Sequence, residues 1–172
     1  MKNLIYEKRQ ENLRNSLAEK KTDGMLITNM TNIKYISGFT GSAASCLITP
    51  KGNYFITDGR YIEQSKEQVV GFERFISMDP HLSQIKKNNL ISKDCKLFFE
   101  GDHMSFALYQ NMTQEFPQVK WENSSMIIED LAAVKDSHEL DCLRTAVEVT
   151  DKVYEETIPM LRPGYTEKQV AN

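Results

Sequence analysis

Apolar positions along this chain change their spacing several times, and each change marks an element. Tyr6, Leu13 and Leu17 stand seven and then four residues apart among charged neighbours. That spacing puts them on one helical face and predicts an amphipathic helix from the N-terminus to about Lys20. Thr22-Asp-Gly24 then turns the chain, and Met25-Leu-Ile-Thr28 is the uninterrupted apolar run of a buried strand. Asn29 to Asn32 reads as a polar loop, and Ile33 to Ile36 as a short piece, extended or helical.

Two β-rich runs, Ala43 to Thr49 and Tyr54 to Thr57, flank Pro50-Lys-Gly-Asn53 and predict a hairpin. Beyond it, Arg60 to Gln68 is expected to be helical and Glu73 to Ser77 a strand. Pro80 to Leu90 is expected to be a helix with proline at its start, since the fixed φ of proline suits a first turn. Lys96 to Glu100 is a further strand, Ser105 to Glu115 a helix and Val119 to Glu122 a last short strand. Strands alternating with helices imply an α/β fold, and the hairpin makes its sheet a mixed one flanked by helices.

The pattern changes after Leu131. Asp136 and Glu139 have capping-box spacing, and Leu140, Leu143, Val147, Tyr154, Ile158 and Leu161 follow at helical intervals. A long helix is expected here, bent at Pro159, where an amide hydrogen is missing. Arg162-Pro-Gly164 stops it, and Thr166 with Gln169 opens another helix. Asn172 falls about two turns into that helix, which reads as the start of a further domain. The boundaries expected are 1–131 for the α/β domain and 132–172 for the connecting helix with the first residues of that further domain.

Composition narrows the function classes. At 172 residues the chain has room for one well-buried domain and an appendage. A net charge of −3, with no basic cluster interleaved with aromatics, argues against a nucleic-acid surface. No leader pattern and no membrane-length apolar run stands in the sequence, so a cytoplasmic protein without membrane contact is expected. Cys46, Cys95 and Cys142 are odd in number and widely spaced, which fits reduced packing cysteines, and no metal knuckle is encoded.

The densest segments are Tyr35-Ile-Ser-Gly-Phe-Thr-Gly-Ser42 and Thr57-Asp-Gly-Arg-Tyr61. Gly38 and Gly41 allow positive φ around Phe39-Thr40 and read as structural turn glycines. No Lys-Ser or Lys-Thr follows Gly41 as a phosphate loop requires. Phe39 is either an aromatic held out toward a partner or substrate entrance, or an ordinary core contact. Asp58-Gly59 breaks a strand and Arg60 follows at once, which brings a carboxylate and a guanidinium to one sheet edge. There they either meet a peptide terminus or partner chain, or cap the next helix and pair locally. His81, His103 and His138 are scattered and read as solvated or capping groups. Asp102-His103 beside Glu100 lacks a nucleophile, and turn chemistry accounts for it.

Four collinear motifs resemble the Xaa-Pro aminopeptidase (aminopeptidase P), prolidase and creatinase family. They are Tyr35 to Ser42, Thr57 to Tyr61 with Gln64, Val134-Lys-Asp-Ser-His-Glu-Leu140 with Leu143-Arg144 and Ala146, and Arg162-Pro-Gly-Tyr-Thr-Glu167. The first two look more like an Xaa-Pro aminopeptidase than creatinase. The resemblance implies the N-terminal domain fold of that family, ribonuclease H-like, followed by a long connecting helix. It also implies a larger C-terminal pita-bread domain, absent here, where two Asp, one His and two Glu hold two divalent metal ions, manganese in most members.

By that resemblance the full-length protein is a metallopeptidase acting on proline-containing peptides, a homo-oligomer, typically a dimer, and this chain alone is inactive. No catalytic and no metal residue is carried over. Phe39, Asp58, Arg60 and Tyr61 are candidates for the substrate entrance or an interface, and Gly38, Gly41 and Gly59 for structural turns. Ala132 stands where the family commonly has Arg, so no site role is carried over there. Two alternatives stay open. One is a relative without metal ligands that serves as a binding or scaffold module; the other is a different substrate, such as creatine or a dipeptide ending in proline.

Overall fold

The computed structural model describes residues 2–171, with Lys2 described in its backbone alone; readings that fall on Met1 and Asn172 lie outside the described residues. Contacts divide the chain into two compact units, Met1–Ala132 and Ala133–Asn172.

The first unit opens with α1 (Lys2–Glu19), then β1 (Gly24–Ile27), α2 (Met30–Ser37), β2 (Ala44–Thr49) and β3 (Gly52–Thr57). A 3-10 turn (Gly59–Tyr61), α3 (Ile62–Gln68), β4 (Glu73–Ile76), α4 (His81–Lys87), β5 (Lys96–Glu100), α5 (Phe106–Glu115), β6 (Lys120–Ser124) and α6 (Ile127–Ala133) come next. The piece around Ile33 is helical because Asn29 accepts from the Thr31 amide at its start and Gly38 closes its end. The expected helix at Arg60 begins instead as a 3-10 turn capped by Asp58. The helix after Pro80 is shorter than expected, and Pro80 occupies its cap position.

The six strands lie in the order β4-β3-β2-β1-β5-β6. β2 runs antiparallel to both neighbours, β1 and β3, and every other pairing is parallel. Thr49 pairs with Gly52, so the hairpin turn is Pro50-Lys51 and the second strand starts earlier than expected. Because β1, β3, β4, β5 and β6 share one direction, the loops after them emerge at one end of the sheet, beside the start of β2.

Strand alternation sorts the core into two layers. Met25, Ile27, Cys46, Ile48, Phe55 and Phe98 pack under Leu13 and Leu17 of α1, Ile33 and Ile36 of α2, and Ile127 and Ile128 of α6. Leu26, Leu47, Tyr54, Ile56, Leu97 and Phe99 pack under Leu82 and Ile85 of α4, Met112 of α5 and Phe116 just beyond it. Covered faces on both sides explain why β1 and β2 read as continuous apolar runs. Each fully buried large side chain contributes about 1.5–3 kcal/mol.

α1 is also held by polar anchors. Buried Gln10 donates through Nε2 to the carbonyls of Ile36 at 2.9 Å and Val70 at 2.8 Å. Arg9 donates to the Tyr35 carbonyl at 2.9 Å and lies over the Tyr35 ring. The helix α6 has no signature in the sequence pattern, since only Ile127, Ile128 and Leu131 carry its apolar face and seven residues are too few to establish a period.

The second unit holds α7 (Ser137–Thr157), a 3-10 turn (Ile158–Met160) and α8 (Glu167–Ala171). The capping box is present: Glu139 N donates to Asp136 Oδ1 at 2.9 Å and Asp136 N to Glu139 Oε2 at 3.1 Å. Pro159 does not bend the helix, because α7 ends at Thr157 and the proline sits in the 3-10 turn beyond it. Leu140, Leu143, Val147, Tyr154 and Ile158 are exposed in this chain.

Candidate functional site

The loop after α2 and the turn after β3 meet at the common strand end. Gly38 adopts φ 83° and donates its amide to the Lys34 carbonyl, a left-handed helix cap that suits glycine. Gly41 has no left-handed backbone, and its reason is space: a Cβ there would overlap the Phe39 ring and lie 2.8 Å from Tyr61. Gly59 has an ordinary φ, and a Cβ added there would meet only Met78 Sδ, at 3.6 Å, so neither constraint applies to it.

Phe39 is fully buried and stacks edge-on against Phe55 at 4.9 Å and Tyr61 at 5.2 Å. It therefore offers no ring to a partner or a substrate entrance, and the core alternative holds: the glycine loop folds the aromatic inward to cap the layer under α1 and α2. Around it the loop is tied down by polar groups. The Thr40 amide donates to Gln68 Oε1 at 2.9 Å and Gln64 Nε2 donates to Thr40 Oγ1 at 3.0 Å. Tyr61 Oη lies 2.7 Å from Ser42 Oγ, and this contact lowers the phenol's pKa.

Asp58 caps the 3-10 turn by accepting from Arg60 N at 3.0 Å. Arg60 then returns its guanidinium, Nε to Oδ1 at 2.9 Å and Nη2 to Oδ2 at 2.7 Å. That two-point bond holds the Asp58 carboxyl down to about 2. The pair sits at the end of β3, one strand in from the edge strand β4, and not along the sheet edge. Capping and local pairing are therefore both present. Arg60 remains exposed, and the apolar side chains Ile62, Ile76 and Met78 are exposed as well.

Two further clusters at this end carry less sequence signal. His81, in the first turn of α4, places Nδ1 2.8 Å from Ser45 Oγ of β2, and burial lowers the imidazole's pKa while the charge of Asp58 opposes the shift. Only the pairing of β2 with a helix that comes after a later strand brings these two together. At the end of β5, buried Glu100 accepts the amides of Thr28 at 2.6 Å and Asn29 at 2.7 Å. Its other oxygen accepts from Asn32 Nδ2 at 2.7 Å, and the same amide reaches Glu129 of α6 at 2.6 Å. Asp102 and His103 lie in the next turn, where His103 N donates to the Glu100 carbonyl.

Among the described residues no group of three or more His, Cys, Asp or Glu side chains is placed to hold a metal ion. The cysteines are free; Cys46 and Cys95 are buried as expected, whereas Cys142 is exposed on α7. No described helix is long and apolar enough to cross a membrane.

The family model of the Creatinase/Prolidase N-terminal domain matches residues 9–134. The chain belongs to the creatinase/prolidase N-terminal domain family. Among relatives of this creatinase/prolidase domain, the uncharacterized peptidase YqhT of Bacillus subtilis (strain 168) is 36% identical over 163 residues, covering 94% of this chain and 46% of that protein. The solved Xaa-Pro dipeptidase from Bacillus anthracis superposes with a TM-score of 0.85 at 30% identity, covering 97% of this chain and 47% of that one. The aminopeptidase P from Streptococcus thermophilus superposes with a TM-score of 0.65 at 29% identity, covering 74% of this chain and 98% of that one. The creatinase/prolidase domain thus spans about half the length of the curated relatives it matches. It is an N-terminal domain of Xaa-Pro peptidase family proteins.

Proposed function

We propose that this chain is the non-catalytic N-terminal domain of a metal-dependent Xaa-Pro aminopeptidase or dipeptidase, a cytoplasmic homodimer that hydrolyses peptide bonds preceding proline. In this reading two manganese ions act in a part of the protein outside this chain, activating water for attack on the peptide bond. The domain itself shapes access to that centre and supplies subunit contacts through the exposed Arg60 turn and the exposed side chains of Ile62, Ile76 and Met78.

The observation that carries the reading is the family match over 9–134 together with near-full coverage of this chain against less than half of its relatives. Asp58 and Arg60 satisfy each other within the turn, which suits a structural and contact role for it. The exposed apolar residues of α7 suit a surface that a further domain covers.

The test is an assay of this chain with Ala-Pro-Ala and manganese. No turnover is expected, and release of free alanine that EDTA abolishes would overturn the non-catalytic assignment. Sedimentation of the chain tests the subunit contact: reversible self-association that weakens in Arg60→Glu is expected, and a strict monomer at high concentration counts against it.

A further inference from the structure

β1 has β2 on one side and β5 on the other, and the helices that come after β4 and β5 lie over the strand ends on the same face of the sheet. Between α4 and α5, beside Thr28 just after β1 and Ser45 near the start of β2, lies a cavity of about 590 Å³. The volume lies inside the range of about 300–1,000 Å³ that holds a small molecule.

The lining has a built polar feature. Ser45, buried in β2, and His81 of α4 meet at 2.8 Å through Oγ and Nδ1, and both line the cavity. Nε2 of His81 has no protein partner among the described residues. Leu26 and Leu108 supply apolar wall, and Asn111 and Gln114 of α5 add carboxamides. The charged pair on the lining, Lys86 and Glu115, neutralises itself across the two helices at 2.7 Å. Burial also keeps the imidazole uncharged near neutral pH. A carboxylate or phosphate would find no unpaired cation here, and an ammonium no unpaired carboxylate. An amide or hydroxyl would find the imidazole nitrogen, which donates or accepts according to the way Ser45 turns its proton.

We propose that the crevice between α4 and α5 binds a small uncharged molecule with an apolar body and one amide or hydroxyl group, oriented by the Ser45–His81 pair. The site goes beyond the peptidase reading and rests on the cavity alone.

Titration of the isotope-labelled chain with benzamide, followed by amide and imidazole NMR shifts, tests it. Saturable shifts at Leu26, Ser45, His81 and Leu108 are expected, with benzoate and benzylamine binding at least tenfold more weakly. Asn111→Trp, made at an exposed position that lines the mouth, is expected to weaken benzamide at least tenfold with the rest of the spectrum preserved. Ser45→Ala, which removes the hydroxyl that orients His81 and sets its tautomer, is expected to weaken it about three- to tenfold. Absence of saturable shifts at these residues, shifts that Asn111→Trp leaves unchanged, or benzoate binding as tightly as benzamide would overturn the proposal.

Discussion

Arg60 clasps both carboxylate oxygens of Asp58 from two residues away, Nε on Oδ1 at 2.9 Å and Nη2 on Oδ2 at 2.7 Å. The pair is thereby complete within one turn of the chain. Its carboxyl is held at about 2, whereas an unfolded Asp titrates near ~3.9. The pair's contribution is thus fully present above pH ~4 and is lost as the pH falls toward 2. A carboxyl-carbon NMR titration should place the Asp58 midpoint near 2, and Arg60→Met should return it toward the ordinary range.

The three turn glycines should respond differently to alanine. At Gly41 the new methyl meets the Phe39 ring inside a packed layer, which predicts a loss of about 1–3 kcal/mol in urea unfolding. At Gly38 the left-handed backbone costs about 1–2 kcal/mol, before the methyl reaches Tyr6 at 2.9 Å. Gly59→Ala should stay within about 0.5 kcal/mol of the parent. Equal losses at all three would contradict these separate reasons.

Glu100 is a buried acceptor facing only donors. Glu100→Gln turns an amide NH₂ toward the Thr28 and Asn29 amides or toward Asn32, and should lower unfolding stability by about 1–3 kcal/mol. Glu129→Gln, made at a partly exposed carboxylate with one such bond, should cost less. Hydrogen exchange at Asn29 should quicken in Glu100→Met, which leaves that amide without its acceptor.

His81 should titrate below ~6.5 in an imidazole NMR titration. Asp58→Asn should push the midpoint lower still, since the aspartate's charge works against the effect of burial. Below pH ~6.5 the unfolded chain takes up this proton before the folded one does, so the stability tied to His81 falls as the pH drops through that window.

Much of the architecture was legible because it rests on local patterns. An uninterrupted apolar run marked β1, two β-rich runs around Pro50-Lys-Gly-Asn53 marked the hairpin of β2 and β3, the Asp136 and Glu139 spacing marked the start of α7, and the four motifs in order carried the family resemblance. α6 was not legible, since seven residues with three apolar positions establish no period. The inward turn of Phe39 was undecidable for a different reason. A glycine loop lets an aromatic point either way, and the choice was made by the space between Phe55 and Tyr61.

What the sequence determined by itself was most of the succession of strands and helices, the capping box of α7 and the family, all of which depend on local patterns, whereas the pairing of Asp58 with Arg60 was one of two readings until the structure placed them. What only the tertiary structure decided was the company kept across the sheet. Ser45 meets His81 from 36 residues away, and Glu100 gathers Thr28, Asn29 and Asn32 from 68 to 72 residues away. Those contacts exist because β5 pairs beside β1 while β2 runs against them both, and strand order is set by the summed burial of two apolar layers, which no short stretch of chain encodes.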